Sequence, residues 1–414
     1  MSEAVITGIG VVSPVGVGVP AYWEATLAGR LGIDRISRFD PSGYTVKLAG
    51  EVRGFDAAGV PPRVRAQTDR MTHFALAAAD DALADAGLTA DDLAALPEYE
   101  LAVVTADSSG GAEFGQRELE KLWREGPRSV GAFMSVAWFY AATTGQLSIR
   151  YGLRGACGVV ATEQAGGLDA LGSARRQLRR GGARLVLSGG TDASLSPAGL
   201  VAQMANQRMS GGTRPHDAYL PFDARARGYV PGEGGAILVV EDAEAARARG
   251  APRVYARISG YAATFDPPPH TRRPPTLRRA IEFALADAGI EPGEVDAVFA
   301  DAYGVPALDR HETEALSAVF GAHAVPVTAP KTMTGRLYAG AGALDTVSAV
   351  LAMRDSLIPP TVNVRPPDGH PLDLVLDQPR RAPVRCALVV ARGYGGFNAA
   401  VVLHSVSTME GATR

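Results

Sequence analysis

The chain has 414 residues, is 46% hydrophobic and 21% charged, and carries a formal net charge of -3. That composition is ordinary for a soluble globular protein. The near-balanced charge argues against nucleic acid as a partner. No run of 18 uncharged apolar residues is long enough for a membrane span, and MSEAVITGIG lacks a basic-then-apolar secretion signal.

The run AVITGIGVV opens the chain as a strand. Gly8-Ile9-Gly10 lacks the third glycine of a dinucleotide loop: Ser13 holds that position and Pro14 follows, so the segment reads as a turn. HFALAAADDALADAGL follows as a helix and ELAVVTA as a strand. In SSGGAEFGQRELEKLW, Ala112, Gly115 and Leu119 share one helical face. Cys157 falls in a short apolar run and reads as a small buried hydrophobe. VVATEQAGGLDA then predicts a strand, a tight turn and a helix, an elbow where many α/β enzymes hold a nucleophile. Its crest is Gln164, whose neutral amide is not a nucleophile. The helix that follows ends in Arg175, Arg176, Arg179 and Arg180, read as a solvated face or a dock for an acidic partner.

ARLVLSGG and AILVVED add two strands, TLRRAIEFALADAGI a helix and VDAVFADA a strand. FADAYGVPALDRHET places Tyr303 where that strand stops, and PKTMTGRLYAGAGALD places Lys331 and Arg336 before another helix. CALVVARG and RGYGGFNAAVVL close the chain, and Gly87, Gly181 and Gly289 sit where helices need a left-handed cap. Alternating strands and helices predict an α/β fold with buried strands.

Two echoes point to an internal duplication: AGGLD at 165–169 recurs as AGALD at 341–345, and ALADAGL at 82–88 as ALADAGI at 284–290. The halves are drawn as 1–246 and 247–414, in keeping with a length that exceeds one core. The seven histidines are scattered without metal-ligand spacing, since His311-Glu312-Thr313-Glu314 only begins like a zinc-protease motif, and no cofactor is expected. Two cysteines, Cys157 and Cys386, suit a reducing cytoplasm better than a disulfide framework.

From AVITGIGVVSPVG through YLPFDARARGYVPGEGGAILVVED to RGYGGFNAAVVL, the sequence resembles the β-ketoacyl synthase family of the thiolase fold. It is similar in particular to the chain-length factors, the ketosynthase beta subunits of bacterial type II aromatic polyketide synthases. The resemblance implies a duplicated five-layered αβαβα architecture. It also implies a degenerate site: Gln164 stands where an active ketosynthase carries its cysteine, Tyr303 and Arg336 where it carries two histidines, and Lys331 alone is kept.

A glutamine cannot form the acyl thioester that condensation requires. The resemblance therefore implies a heterodimer with a cysteine-bearing ketosynthase alpha subunit, paired through the strand at about 155–161. A tunnel for the growing polyketide chain, delivered on acyl carrier protein, would run along the interface. Its floor is expected at Ala112, Gly115, Leu119, Phe133, Met134 and Ala198, small enough at Ala112, Leu119 and Ala198 for more than the shortest aromatic products. The alternative is a malonyl-acyl carrier protein decarboxylase, although such enzymes keep both histidines.

Overall fold

The computed structural model describes residues 3–406 apart from 269 and 272. The apolar runs form β1 (Ala4–Ser13), β2 (Leu101–Ala106), β3 (Cys157–Val160), β4 (Leu185–Asp192), β5 (Gly234–Asp242), β6 (Ala256–Phe265), β7 (Ala297–Phe299), β8 (Pro326–Thr328), β9 (Asp373–Leu374), β10 (Cys386–Arg392) and β11 (Phe397–His404). Along the sheet their order is β9-β8-β7-β10-β11-β6-β1-β5-β4-β2-β3. The two halves of the sheet join where Val5 and Ile6 pair with Arg257 and Ala256.

On each side of that seam the topology repeats. Reading outward, β1-β5-β4-β2-β3 has two antiparallel pairings and then two parallel ones. The series β6-β11-β10-β7-β8 has the same order and the same directions. One folding pattern is therefore used twice, as the sequence echoes predict.

The helices that matter for the site are α1 (Arg70–Asp85), α2 (Ala112–Glu125), α3 (Ala142–Tyr151), α4 (Gly166–Arg179), α5 (Pro197–Met204), α6 (Leu277–Ala288), α7 (Pro306–Phe320) and α8 (Ala341–Asp355). α1 covers the outer face of the first half-sheet and α6 that of the second, while α4 and α8 lie between the two. That gives the five layers αβαβα. The middle position explains why Ala341 through Met353 are all buried. Such a helix is apolar all round rather than amphipathic.

The echoed segments are where α4 and α8 cross. A Cβ on Gly167 would stand 2.5 Å from the Ala343 nitrogen, and one on Gly342 would stand 3.0 Å from the Leu168 nitrogen. Small residues there let the two helices touch backbone to backbone, so the site loops of both halves open at one crevice.

Three sequence readings change. Gly8 and Gly10 lie inside β1, not in a turn; Cβ atoms there would stand 2.1 and 1.9 Å from the carbonyl oxygens of Ala82 and Ala78. The glycines serve the close approach of α1. Cys157 is exposed because β3 is the outermost strand of its half-sheet, whereas Cys386 is buried and its thiol is pushed up to about 12 by burial. The four arginines do not form one solvated face. Arg175 is buried, donating to the Ile258 carbonyl at 2.9 Å, the Ser259 carbonyl at 2.5 Å and the Asp287 carboxylate at 2.6 Å. It ties α4 of the first half to β6 and α6 of the second. Arg179 also pairs with Asp287, Arg176 lies over the Tyr261 ring, and both Arg176 and Arg180 are exposed.

Candidate functional site

The elbow forms as predicted. β3 ends at Val160, a single helical turn spans Glu163–Ala165, and α4 starts at Gly166. Glu163 takes a left-handed φ of 52°, a strained conformation for a residue with a Cβ. The turn is held from both sides: Glu163 accepts the Tyr394 N–H at 2.8 Å, and the Gly393 backbone packs on the Thr162 carbonyl. At the crest Gln164 is fully buried, and neither its Oε1 nor its Nε2 has a protein partner.

Facing the elbow are the loop after β7, the turns after β8 and the glycine-rich turn between β10 and β11. Arg336 is fully buried and makes an end-on pair with Asp301, each guanidinium nitrogen 3.2 Å from one carboxylate oxygen. It also donates to the carbonyls of Asp301 at 3.2 Å and Arg392 at 2.9 Å. Burial alone would raise the Asp301 carboxyl, but Arg336, Lys331 and Arg392 hold it below its ordinary value. Arg336 is thus a permanent cation whose countercharge is internal.

Tyr303 packs against two arginines. Its ring centroid lies 3.9 Å from the Arg336 guanidinium carbon and 5.5 Å from that of Arg208, which also donates to its hydroxyl at 3.3 Å. Tyr229 meets the Tyr303 ring edge-on at 5.6 Å and takes a hydrogen bond from Asn206. Such cation–π contacts gain strength when desolvated, which fixes Tyr303 as packing for Arg336. Lys331 is also buried, ion-paired with Asp345 at 2.6 Å and donating to the Ala300 carbonyl at 2.5 Å.

The fold therefore gathers Tyr303, Arg336 and Lys331 around Asp301, with Glu163, next to Gln164, in reach of the Arg336 charge. Asp301, Arg208, Tyr229 and Glu163 complete the group, and sequence reading missed them. Asp301 had a signal, since it lies two residues before Tyr303 and a buried arginine demands a carboxylate. Among the described residues, these side chains include no cysteine, serine or histidine; a larger cavity of about 750 Å³, which Tyr303 and Arg208 also line, adds His311. Beside it a cavity of about 520 Å³ is lined by Ser108, Tyr140, Glu163, Gln203, Asn206 and Tyr394.

The models of the β-ketoacyl synthase N-terminal and C-terminal domains match residues 1–246 and 255–365. The chain belongs to the β-ketoacyl synthase family. Among its relatives is the tetracenomycin polyketide synthase ketoacyl synthase beta subunit of Streptomyces glaucescens, 59% identical over 97% of this chain and 98% of that one. Solved structures similar to it include the ishigamide ketosynthase/chain length factor, with a TM-score of 0.89 and 31% identity over 98% of this chain and 100% of that one. A type II polyketide synthase acyl-carrier protein in complex with its ketosynthase bound to the hexaketide gives a TM-score of 0.87 and 27% identity, again over 98% and 100%.

In this ketosynthase-family chain the six residues expected to floor a tunnel lie on and around α2 and α5. Gly115 is buried, Ala112 and Met134 are half-buried, and Leu119, Phe133 and Ala198 are exposed. A Cβ on Gly115 would meet Trp138 and Met134, while the Ala198 N–H donates to the Gln116 side chain at 3.0 Å. An apolar surface runs on from there: Phe133, Val136, Trp138, Phe139, Tyr140, Val159 and Val201 are all between 37% and 54% exposed. Contiguous exposure of that kind marks an interaction face.

Proposed function

We propose that this chain is the non-condensing subunit of a type II polyketide ketosynthase heterodimer, and that its chemistry is supplied by a cysteine-bearing alpha subunit. The single observation that carries this reading is the buried pair Arg336–Asp301 together with Gln164 at the elbow: the crest residue is no nucleophile, and the buried cation is already matched by a protein carboxylate. The relatives' printed descriptions support it, naming a ketoacyl synthase beta subunit, a ketosynthase/chain length factor and a ketosynthase with its acyl-carrier protein and a hexaketide. The partner covers β3, whose outer edge is unpaired within its half-sheet, and the apolar face from Phe133 to Tyr140.

The growing poly-β-keto chain, delivered on acyl carrier protein, then extends from the partner's cysteine along the shared face. Ala112, Gly115, Leu119, Phe133, Met134 and Ala198 form its floor and set its length. Gln164, Tyr303, Arg336 and Lys331 keep the elbow and the crevice packed without turning over substrate. The two halves are assigned to 1–246 and 247–414, and the complex to the cytoplasm.

The test is incubation of malonyl-loaded carrier protein with this chain alone and then with its partner, read by intact-protein mass spectrometry. No change until the partner is added is the expected result. Conversion of malonyl to acetyl carrier protein by this chain alone would establish the decarboxylase reading instead.

A further inference from the structure

α2 is built inside out. Its inward face carries Phe114, Gly115 and a carboxylate, Glu118, which is 5% exposed, while Leu119 and Trp123 are 45% and 81% exposed. A protomer that packed this helix for its own stability would place a leucine inward and the glutamate in water. Glu118 has instead two defined partners. Its Oε2 accepts the Gly131 N–H at 2.6 Å, and its Oε1 accepts the Lys121 ammonium at 2.6 Å. Lys121 and the Gly131 N–H hold the carboxyl below its ordinary value, so it stays ionised.

The bond to Gly131 reaches the segment that carries Phe133 and Met134. That segment descends from α2 and returns across its first turn, where the Gly111 N–H donates to the Trp138 carbonyl at 3.0 Å. A Cβ on Gly131 would stand 3.1 Å from Glu118 Oε2, so the contact is close as well as polar. The segment is thus fastened to α2 at both ends: by backbone near the helix start, and by one side chain, Glu118, near its middle.

We infer that Glu118 is a positioning residue for chain length: by fastening Gly131 to α2 it fixes Phe133 and Met134 at the end of the polyketide tunnel. This rests on the tunnel reading above. A charge-assisted bond to a backbone N–H holds a loop more tightly than packing alone. Loss of that bond lets the floor yield under the pressure of a longer chain, without touching the partner's cysteine or the crevice.

The experiment uses the full heterodimer with carrier protein and malonyl units, with products separated by mass and the complex checked by size exclusion. Glu118→Ala is expected to broaden the products toward longer chains, at least doubling the fraction above the main length. Glu118→Gln keeps an acceptor for Gly131 and is expected to restore the parent profile, as is Lys121→Met. If Glu118→Ala does not assemble, Glu118→Met keeps the side chain's length while removing the acceptor and is expected to broaden the products in the same way. An unchanged profile in the assembled variant, or equal broadening by Glu118→Ala and Glu118→Gln, overturns the inference. Ala112→Phe separates the two levels: if it shortens the product while Glu118→Ala does nothing, the tunnel reading stands and the role of Glu118 falls. If neither shifts the product, both fall.

Discussion

Arg336 and Asp301 meet end to end in the crevice, each with no exposed surface, the two guanidinium nitrogens 3.2 Å from the two carboxylate oxygens. Breaking a buried pair from one side leaves the other charge stranded, at about 3–5 kcal/mol. Arg336→Met should therefore lower unfolding stability by about that much, measured by urea denaturation. The Arg336–Asp301 pair also predicts that Arg336→Met and Asp301→Leu together cost less than the sum of the two single changes.

The floor makes a directional prediction. Ala112 is half-buried at the start of α2, beside buried Gly115. Ala112→Phe adds a ring to the proposed tunnel, and the main product of the reconstituted pair should lose at least one two-carbon unit. A product profile unchanged in length but lower in yield would assign α2 to scaffolding.

The arginine cluster separates into two kinds of residue. Arg175 holds two carbonyls and Asp287 across the halves, so Arg175→Ala should cost about 3 kcal/mol in a denaturation experiment. Exposed Arg180→Ala should change stability by less than about 0.5 kcal/mol. Equal effects at the two positions would return the cluster to a single solvated face.

A buried carboxylate pair sets a pH dependence. Asp107 is raised to about 7 by burial and by Asp69, and Asp192 is also raised well above its ordinary value, by burial and by Asp107. Asp107 Oδ2 and Asp192 Oδ2 both lack a hydrogen-bond partner. A carboxyl raised in the fold binds its proton more tightly there than in the unfolded chain. The stability it contributes is complete below the ordinary carboxyl value near 4 and is lost as pH rises through about 7. Asp107→Asn keeps an acceptor for the Gly110 N–H and removes the charge that acts on Asp192. The variant should therefore be more stable than the parent at pH 8, on the order of 1–2 kcal/mol, with the difference fading by pH 5. Denaturation midpoints across that range that run parallel for the two proteins would contradict it.

The strands, the four long Ala-rich helices and the elbow could be read from apolar runs and from glycines past helix ends, because local pattern specifies them. Gly87, Gly181 and Gly289 do take positive φ. What escaped reading depends on distant chain. Gly8 and Gly10 carry turn composition, yet their need for hydrogen side chains comes from α1, some seventy residues on. Arg175 resembles its neighbours in sequence and differs from them only in facing Asp287. Tyr303 and Arg336 were visible as substitutions in the site, but Asp301, the partner that disarms Arg336, was not singled out. Cys157 is exposed because β3 is the outermost strand of its half-sheet, a position that its own apolar neighbours in sequence do not reveal.

β3 is four residues long, and what it offers at the rim is mostly main chain. Main-chain ladders are nearly the same in every sequence, so this edge supplies adhesion without discrimination. Discrimination between one ketosynthase and another must then reside in side chains, and Phe133 to Tyr140 is where this chain displays them. On the heterodimer reading, exchanging residues 133–140 between two relatives should therefore change which partner each one accepts, while exchanging β3 alone should not.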